Sequence, residues 1–398
     1  MRPPVYLDNH ATTPVDPRVL DAMLPYFGPK FGNAASRTHP FGWEAEKAVD
    51  HARRKIAELA GAQPREIVFT SGATESNNLA LKGAADANAS RGRHIVTMLI
   101  EHRSVLDPLR TLERLGYEVT YLSPRPDGLL DLDQFRTALR PDTLLASIMY
   151  ANNEIGVIQP ISEIGAICRE QGIIFHCDAV QAFGKIPVHV DRDNIDLMSV
   201  SAHKIYGSKG AGALYVRRRN PRVELTPMLD GGGHEQGLRS GTLNVPGIVG
   251  FGKASSLCAE EMDTEAARLR NLRDLLKDRL TSQIEGLRIN GSMTHRLPGN
   301  LNVAIPGVNS EALVTSLPDV ALSTGSACSS ASVEPSHVLK ALAPGLEHSS
   351  LRIGLGRFTT QEEIEYAATR IISVTGYITS KLPLRSNALG TSRRFTKS

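Results

Sequence analysis

The stretch Ile195-Asp-Leu-Met-Ser-Val-Ser-Ala-His-Lys204-Ile-Tyr-Gly-Ser-Lys-Gly210 decides the fold. A short apolar run ends in a hydroxyl, a histidine and a lysine, and glycines follow. Runs of the same kind stand at Ile67-Val-Phe-Thr, 95–100, 144–150, 173–177 and 211–216, mostly separated by helical patterns or loops. Runs this short and this continuously apolar suit strands buried on both faces, as a parallel sheet covered by helices requires. Helical spacing is clear between them: Val49, Ala52, Ile56 and Leu59 form one apolar stripe, and Gly61 gives it a stop.

Working outward, residues 16–255 read as a large α/β domain. Beyond it, 260–280 is a charged helical pattern, and apolar runs at 300–305 and 320–322 indicate a smaller α+β domain made of 1–15 and 256–378. A basic tail over 379–398 carries Lys381, Arg385, Arg393, Arg394 and Lys397. The length of 398 residues accommodates two or three domains at roughly 100–200 residues each.

Composition excludes several function classes. Forty-five Lys and Arg against 42 Asp and Glu leave a net charge of +3, far from the concentrated basic surface of a nucleic-acid binder. No apolar run approaches the roughly 20 residues that span a bilayer. The start, Met1-Arg-Pro-Pro, has neither the apolar core of a signal peptide nor an Arg- and Ser-rich transit pattern, so a cytoplasmic location is expected. The four cysteines, Cys168, Cys177, Cys258 and Cys328, show no CxxC pairing, which argues against a disulfide framework and a metal site. Cys168 and Cys177 read as buried small hydrophobes.

In open parallel sheets, ligands bind beyond the carboxyl ends of the strands. After the first run comes Thr70-Ser-Gly-Ala-Thr-Glu-Ser-Asn-Asn78, either a phosphate cradle at a helix N-terminus or a plain capped helix. Glu101-His102 follows the second run. Ala151-Asn-Asn-Glu-Ile-Gly156 follows the third, with asparagines suited to a carboxylate, a ring hydroxyl or simply a turn. Asp178 and Gln181 follow the fourth, where a carboxylate could hold a pyridine nitrogen protonated or cap a helix. Lys204, beside Ser201 and His203, is placed to form an imine while its neighbours meet a phosphate. All these groups follow strands of one inferred sheet, and together they favour a phosphate-bearing, imine-forming cofactor. Pyridoxal phosphate fits every role.

These motifs, with Tyr6-Leu-Asp-Asn-His-Ala-Thr-Thr-Pro14, Arg239-Ser-Gly-Thr242, Gly325-Ser-Ala-Cys-Ser-Ser-Ala-Ser332 and Gly354-Leu-Gly-Arg-Phe-Thr-Thr360, resemble the cysteine desulfurases of the NifS/IscS group. These belong to the class-V aminotransferase family of pyridoxal-phosphate enzymes. The resemblance implies an α/β fold-type I transferase, with a mainly parallel sheet in the large domain and a smaller α+β domain. It implies that Lys204 carries the cofactor, that His102 stacks on its ring and moves protons, and that Asp178 and Gln181 meet the ring nitrogen and oxygen. Thr74, the Ala73 backbone, Ser201 and His203 are implied to bind the phosphate, with Thr242 reaching it from the second subunit of an obligate homodimer. Arg352 with Asn153 resembles the clamp for the substrate carboxylate, for which a guanidinium fork is the natural partner.

The reaction implied is transfer of sulfur from L-cysteine to the Cys328 thiolate, giving a persulfide and alanine. An unperturbed thiol near 8.5 is only a few per cent ionised at pH 7, and His102 is the expected base. The Ser-, Ala- and Gly-rich segment around Cys328 is expected to be mobile, as in the group that passes sulfur to a scaffold protein for iron–sulfur assembly. A tRNA-thiolation relay and a nitrogenase-dedicated system are the other acceptor classes. Departures from the pattern are Ala202 before His203, Ala34-Ala35, His10 and the ending of the chain. The rival readings are another enzyme of this fold, an aminotransferase or a selenocysteine lyase, and a non-catalytic platform. The platform predicts loss of the cofactor lysine, and Lys204 is present.

Overall fold

The computed structural model of the chain describes residues 3–324, 336–342, 344–345 and 348–381. Cys328 and residues 382–398 lie outside the described residues, as does the segment whose mobility the composition suggests. The strands are β1 (Val5–Tyr6), β2 (Ile67–Thr70), β3 (His94–Met98), β4 (Glu118–Leu122), β5 (Thr143–Ser147), β6 (Ile174–Asp178), β7 (Leu197–Ser201), β8 (Gly212–Val216), β9 (Arg288–Ile289), β10 (Asn300–Ala304), β11 (Val320–Ala321) and β12 (Ser350–Gly354).

Seven of them form one sheet in the order β2-β8-β7-β6-β5-β3-β4. Every neighbouring pair from β7 to β4 is parallel, and only β8 runs against its neighbours. Strands β2, β3, β5, β6, β7 and β8 are buried along their whole length, which is why they read as continuous apolar runs. Edge strand β4 is half-exposed at most positions and has no such run.

The helices are α1 (Pro17–Met23), α2 (Pro40–Ala60), α3 (Ala73–Ala87), α4 (Arg103–Arg114), α5 (Leu132–Ala138), α6 (Ile161–Gln171), α7 (Val245–Gln283), α8 (Ser310–Thr315), α9 (His337–Leu342) and α10 (Gln361–Ser380). Helix α2 buries Val49, Ala52 and Ile56 and stops at Gly61, whose φ of 67° suits a residue without a Cβ. Packing of α2 and α7 on one face of the sheet and of α3 and α4 on the other gives two separate apolar cores.

A third core surrounds the antiparallel sheet β12-β10-β9, with β1 and β11 paired beside it. The expected division after residue 255 falls inside α7. That helix is continuous because its apolar residues serve two cores in turn, the first through Cys258 and the second from Leu269 onward. Helix α10 continues to Ser380, two residues into the stretch read as the tail, with Ile378 against the small core and Thr379 bonded back to Thr375.

Candidate active site

Strands β2, β3, β5, β6 and β7 run the same way, so the residues that follow them emerge at one edge of the sheet. There they line a cavity of about 510 Å³ that gathers Ala73, Thr74, His102, Asn153, Asp178, Gln181, Ser201, His203 and Lys204. Its floor at the β2 end depends on close backbone approach. A Cβ on Gly212 would lie 2.5 Å from the Gly72 Cα. Helix α3 begins at Ala73 and no side chain caps its first turn, so its amides face the cavity with the partial positive charge of a helix start. The capped-helix reading of this segment does not hold.

Lys204 sits in a single 3-10 turn, Ala202–Lys204, directly after β7. Its Nζ donates to the carbonyls of His10 at 2.6 Å and Ala11 at 2.7 Å. His203 Nδ1 lies 3.1 Å from Thr12 Oγ1. Burial, and then the positive charges of Lys204, Lys209 and Lys185, lower His203 to about 4, so its ring is neutral at pH 7.

Asp178 is held from two sides: Asn77 Nδ2 donates to Oδ2 at 2.8 Å and the Val180 amide to Oδ1 at 3.1 Å. The same Asn77 nitrogen donates to Ser104 Oγ at 2.8 Å, and Ser104 Oγ lies 2.7 Å from His102 Nδ1. His102 caps α4, with Nδ1 accepting from the Ser104 amide at 3.1 Å. Nδ1 is therefore an acceptor, and the neutral ring carries its proton on Nε2. A continuous chain of hydrogen bonds thus joins Asp178 to His102. Glu101 beside it is wholly buried, accepts from the Met149 amide at 2.6 Å and is raised well above the usual carboxyl range by burial.

The two asparagines after β5 differ. Asn152 is buried and holds the turn, accepting from the Glu154 and Ile155 amides and donating to the Ile100 carbonyl. Asn153 lines the cavity. Arg352, in the middle of β12, has no exposed surface and does not line that cavity; it donates to Asp8 Oδ1 at 2.9 Å and to the Asn153 carbonyl at 3.5 Å. Thr242 is exposed and does not line the cavity either. Cys168, Cys177 and Cys258 are buried, and burial raises all three thiols. Among the described residues no group of three or more His, Cys, Asp or Glu side chains could hold a metal ion, and no helix is long and apolar enough to cross a membrane.

Sequence reasoning missed Asn77, Ser104 and Lys185. Asn77 stood within the quoted motif, four residues into α3 and so turned inward, and Ser104 stands at a helix start, where its short hydroxyl serves backbone and neighbours. Lys185 carried no signal.

Residues 5–367 match the aminotransferase class-V family. The chain belongs to that family, and within it to the cysteine desulfurases of the NifS/IscS group. It is 59% identical over 369 residues to cysteine desulfurase IscS of Anaeromyxobacter dehalogenans, covering 92% of this chain and 91% of the relative. The IscS of Methylobacillus flagellatus is 56% identical over 387 residues, covering 96% and 95% of the two chains. Among solved structures, a NifS-like protein superimposes with a TM-score of 0.88 at 37% identity, over 95% of this chain and 100% of that one. The structure titled SspA in complex with cysteine gives 0.79 at 40% identity, over 89% and 100%.

Proposed function

We propose that this protein removes sulfur from L-cysteine in the cytoplasm with pyridoxal phosphate on Lys204, giving L-alanine and a persulfide on Cys328. The observation that carries the reading is the convergence of Lys204, Asp178, Gln181, His102 and the start of α3 on one cavity. Those residues fit the cofactor: a primary amine, a fixed carboxylate for a ring nitrogen, an imidazole, and uncapped amides with Thr74, Ser201 and His203 for a phosphate. When bound, pyridoxal phosphate supplies an electron sink that acidifies the α-carbon of an amino acid.

The chain's own groups do the rest. Asp178, fixed by Asn77 and the Val180 amide, keeps a ring nitrogen protonated. The Lys204 amine takes the α-proton. His102, its Nδ1 turned to Ser104, would stack by its ring face and carries on Nε2 a proton to give at the substrate, so it acts as a base only after that proton has left. Arg352, with Asn153, is assigned the substrate carboxylate by the resemblance; here its guanidinium is wholly buried and holds Asp8, so the substrate carboxylate would take the place of the Asp8 carboxylate. Cys328, outside the described residues, takes the sulfur by its place in the Gly325–Ser332 motif.

The division into 16–255 and 1–15 with 256–378 belongs to the same reading. So does a homodimer, in which Thr242 serves the partner's phosphate. It is supported by the exposure of Thr242 and by the exposed pair Phe31 and Phe41, 69% and 50% exposed with ring centroids 5.3 Å apart, an apolar surface of the kind found at interfaces. The persulfide passes to an iron–sulfur scaffold protein or to another acceptor such as a tRNA-thiolation relay. The test is direct. Purified protein with pyridoxal phosphate, cysteine and reductant yields alanine and sulfide, and Cys328→Ser keeps the visible band but loses both products. Normal turnover by that variant contradicts the sulfur-transfer step.

A further inference from the structure

Lys185 lies outside the cavity of Lys204 yet is tied to it through one side chain. Its Nζ donates to Gln181 Oε1 at 2.9 Å, the one hydrogen bond of this ammonium among the described residues. Gln181 Oε1 also lies 3.0 Å from His10 Nδ1, and Gln181 Nε2 donates to the His10 carbonyl at 2.9 Å. That carbonyl is one of the two that hold Lys204 Nζ. A lysine nitrogen with its protons can only donate and a carbonyl can only accept, so Lys185 at one end and the His10 carbonyl at the other agree on which end of Gln181 is oxygen.

Lys185 is part-buried with one hydrogen-bond partner, and desolvation of its charge is a cost that an apolar side chain would not carry. Its retention here points to what it orients. We propose that Lys185 is a positioning residue: it fixes the Gln181 amide oxygen-outward, so that the amide nitrogen faces the cavity shared by Lys204 and Asp178. Burial and the Lys204 charge lower Lys185 to about 7, with Arg352 adding to the lowering and Glu265 and Cys258 opposing it; His10, on its other side, is neutral. In either protonation state the amine keeps an N–H for Gln181. Without Lys185 the amide keeps only its contacts with His10, and a turned-over amide, which presents an acceptor where a donor stood, no longer faces a cation with its nitrogen.

The inference rests on Lys204 carrying pyridoxal phosphate, and the loaded protein's visible absorption titrated against pH tests it. A donor to the ring oxygen stabilises its anion, so loss of the donor raises the pH midpoint of the band, by about one unit for a hydrogen bond to a charged group. Lys185→Met and Gln181→Ala are each expected to raise the midpoint, and the double variant to match Gln181→Ala alone. Lys185→Gln, which can still donate to Gln181, is expected to keep the wild-type midpoint, and it serves should Lys185→Met not fold. A Lys185→Met midpoint that stays unmoved, a shift that persists in full on the Gln181→Ala background, or a Lys185→Gln shift as large as that of Gln181→Ala each overturns the proposal. A wild-type protein that takes up no chromophore overturns the reading of the cavity and this inference with it.

Discussion

Buried polar residues at the carboxyl edge of the seven-stranded sheet differ in kind from those in the interior of the three-stranded sheet. At the edge they follow buried strands and face a cavity. Inside β10 and β12 they face one another. Asn290 Nδ2 donates to Asn302 Oδ1 at 2.7 Å and to Ser350 Oγ at 3.0 Å, and Arg296 donates to Asn300 Oδ1 at 2.8 Å. Asn300 and Asn302 both donate to the Glu154 carbonyl at 3.1 Å, bracing the turn that presents Asn153. Residue type does not separate chemistry from scaffolding here. Position along the strand does for every proposed group except Arg352, because a polar group inside a strand must be satisfied by neighbours, while one beyond its end can meet a ligand.

The contrast can be broken by mutation. Lys204→Ala is expected to lower turnover by up to about 10⁴-fold, the scale of a lost proton-transfer group, with the cofactor-free melting temperature unchanged. Activity and thermal melting measured together check this, and a large loss of stability would place Lys204 among the scaffold residues. Lys185 gives a pH signature. Its folded value near 7 lies below the unfolded value near 10.4, so between these limits the unfolded chain binds more protons and stability rises with pH. The Lys185→Met variant is expected to lack about 2–4 kcal/mol of that rise, as read by urea unfolding at pH 7 and pH 10.

Asn302→Ala is expected to cost about 1–3 kcal/mol by leaving buried groups unpaired, with kcat little changed. A normal melting temperature with a collapsed kcat would erase the distinction between the two sheets. Smallest is Ser104→Ala. It frees His102 Nδ1 of one partner and cuts the chain to Asn77, with an expected loss of about tenfold in kcat/KM, or about 1.4 kcal/mol.

Much of this was legible in the sequence because strands buried on both faces leave continuous apolar runs, and polar residues after such runs stand out. What was missed failed that condition. Strand β4 is partly solvated and so lacks a run, and β12 carries the buried Arg352 at its centre, which hides it as a strand. Helix α7 begins at Val245, well before the charged pattern at 260–280, because its first half is buried among small residues. Asn77, Ser104 and Lys185 act through other side chains, and only coordinates reveal who touches whom. Cys328 has its role from the motif alone.

Lys204 is proposed as the cofactor lysine, although Lys209 lines the same cavity and Lys185 lies within electrostatic reach of Lys204. Loading the protein with pyridoxal phosphate, reducing it with borohydride and mapping the peptides decides among them. The expected result is a pyridoxyl label on Lys204 alone. A label on Lys185 or Lys209, or no label on a protein that retains its fold, would contradict it.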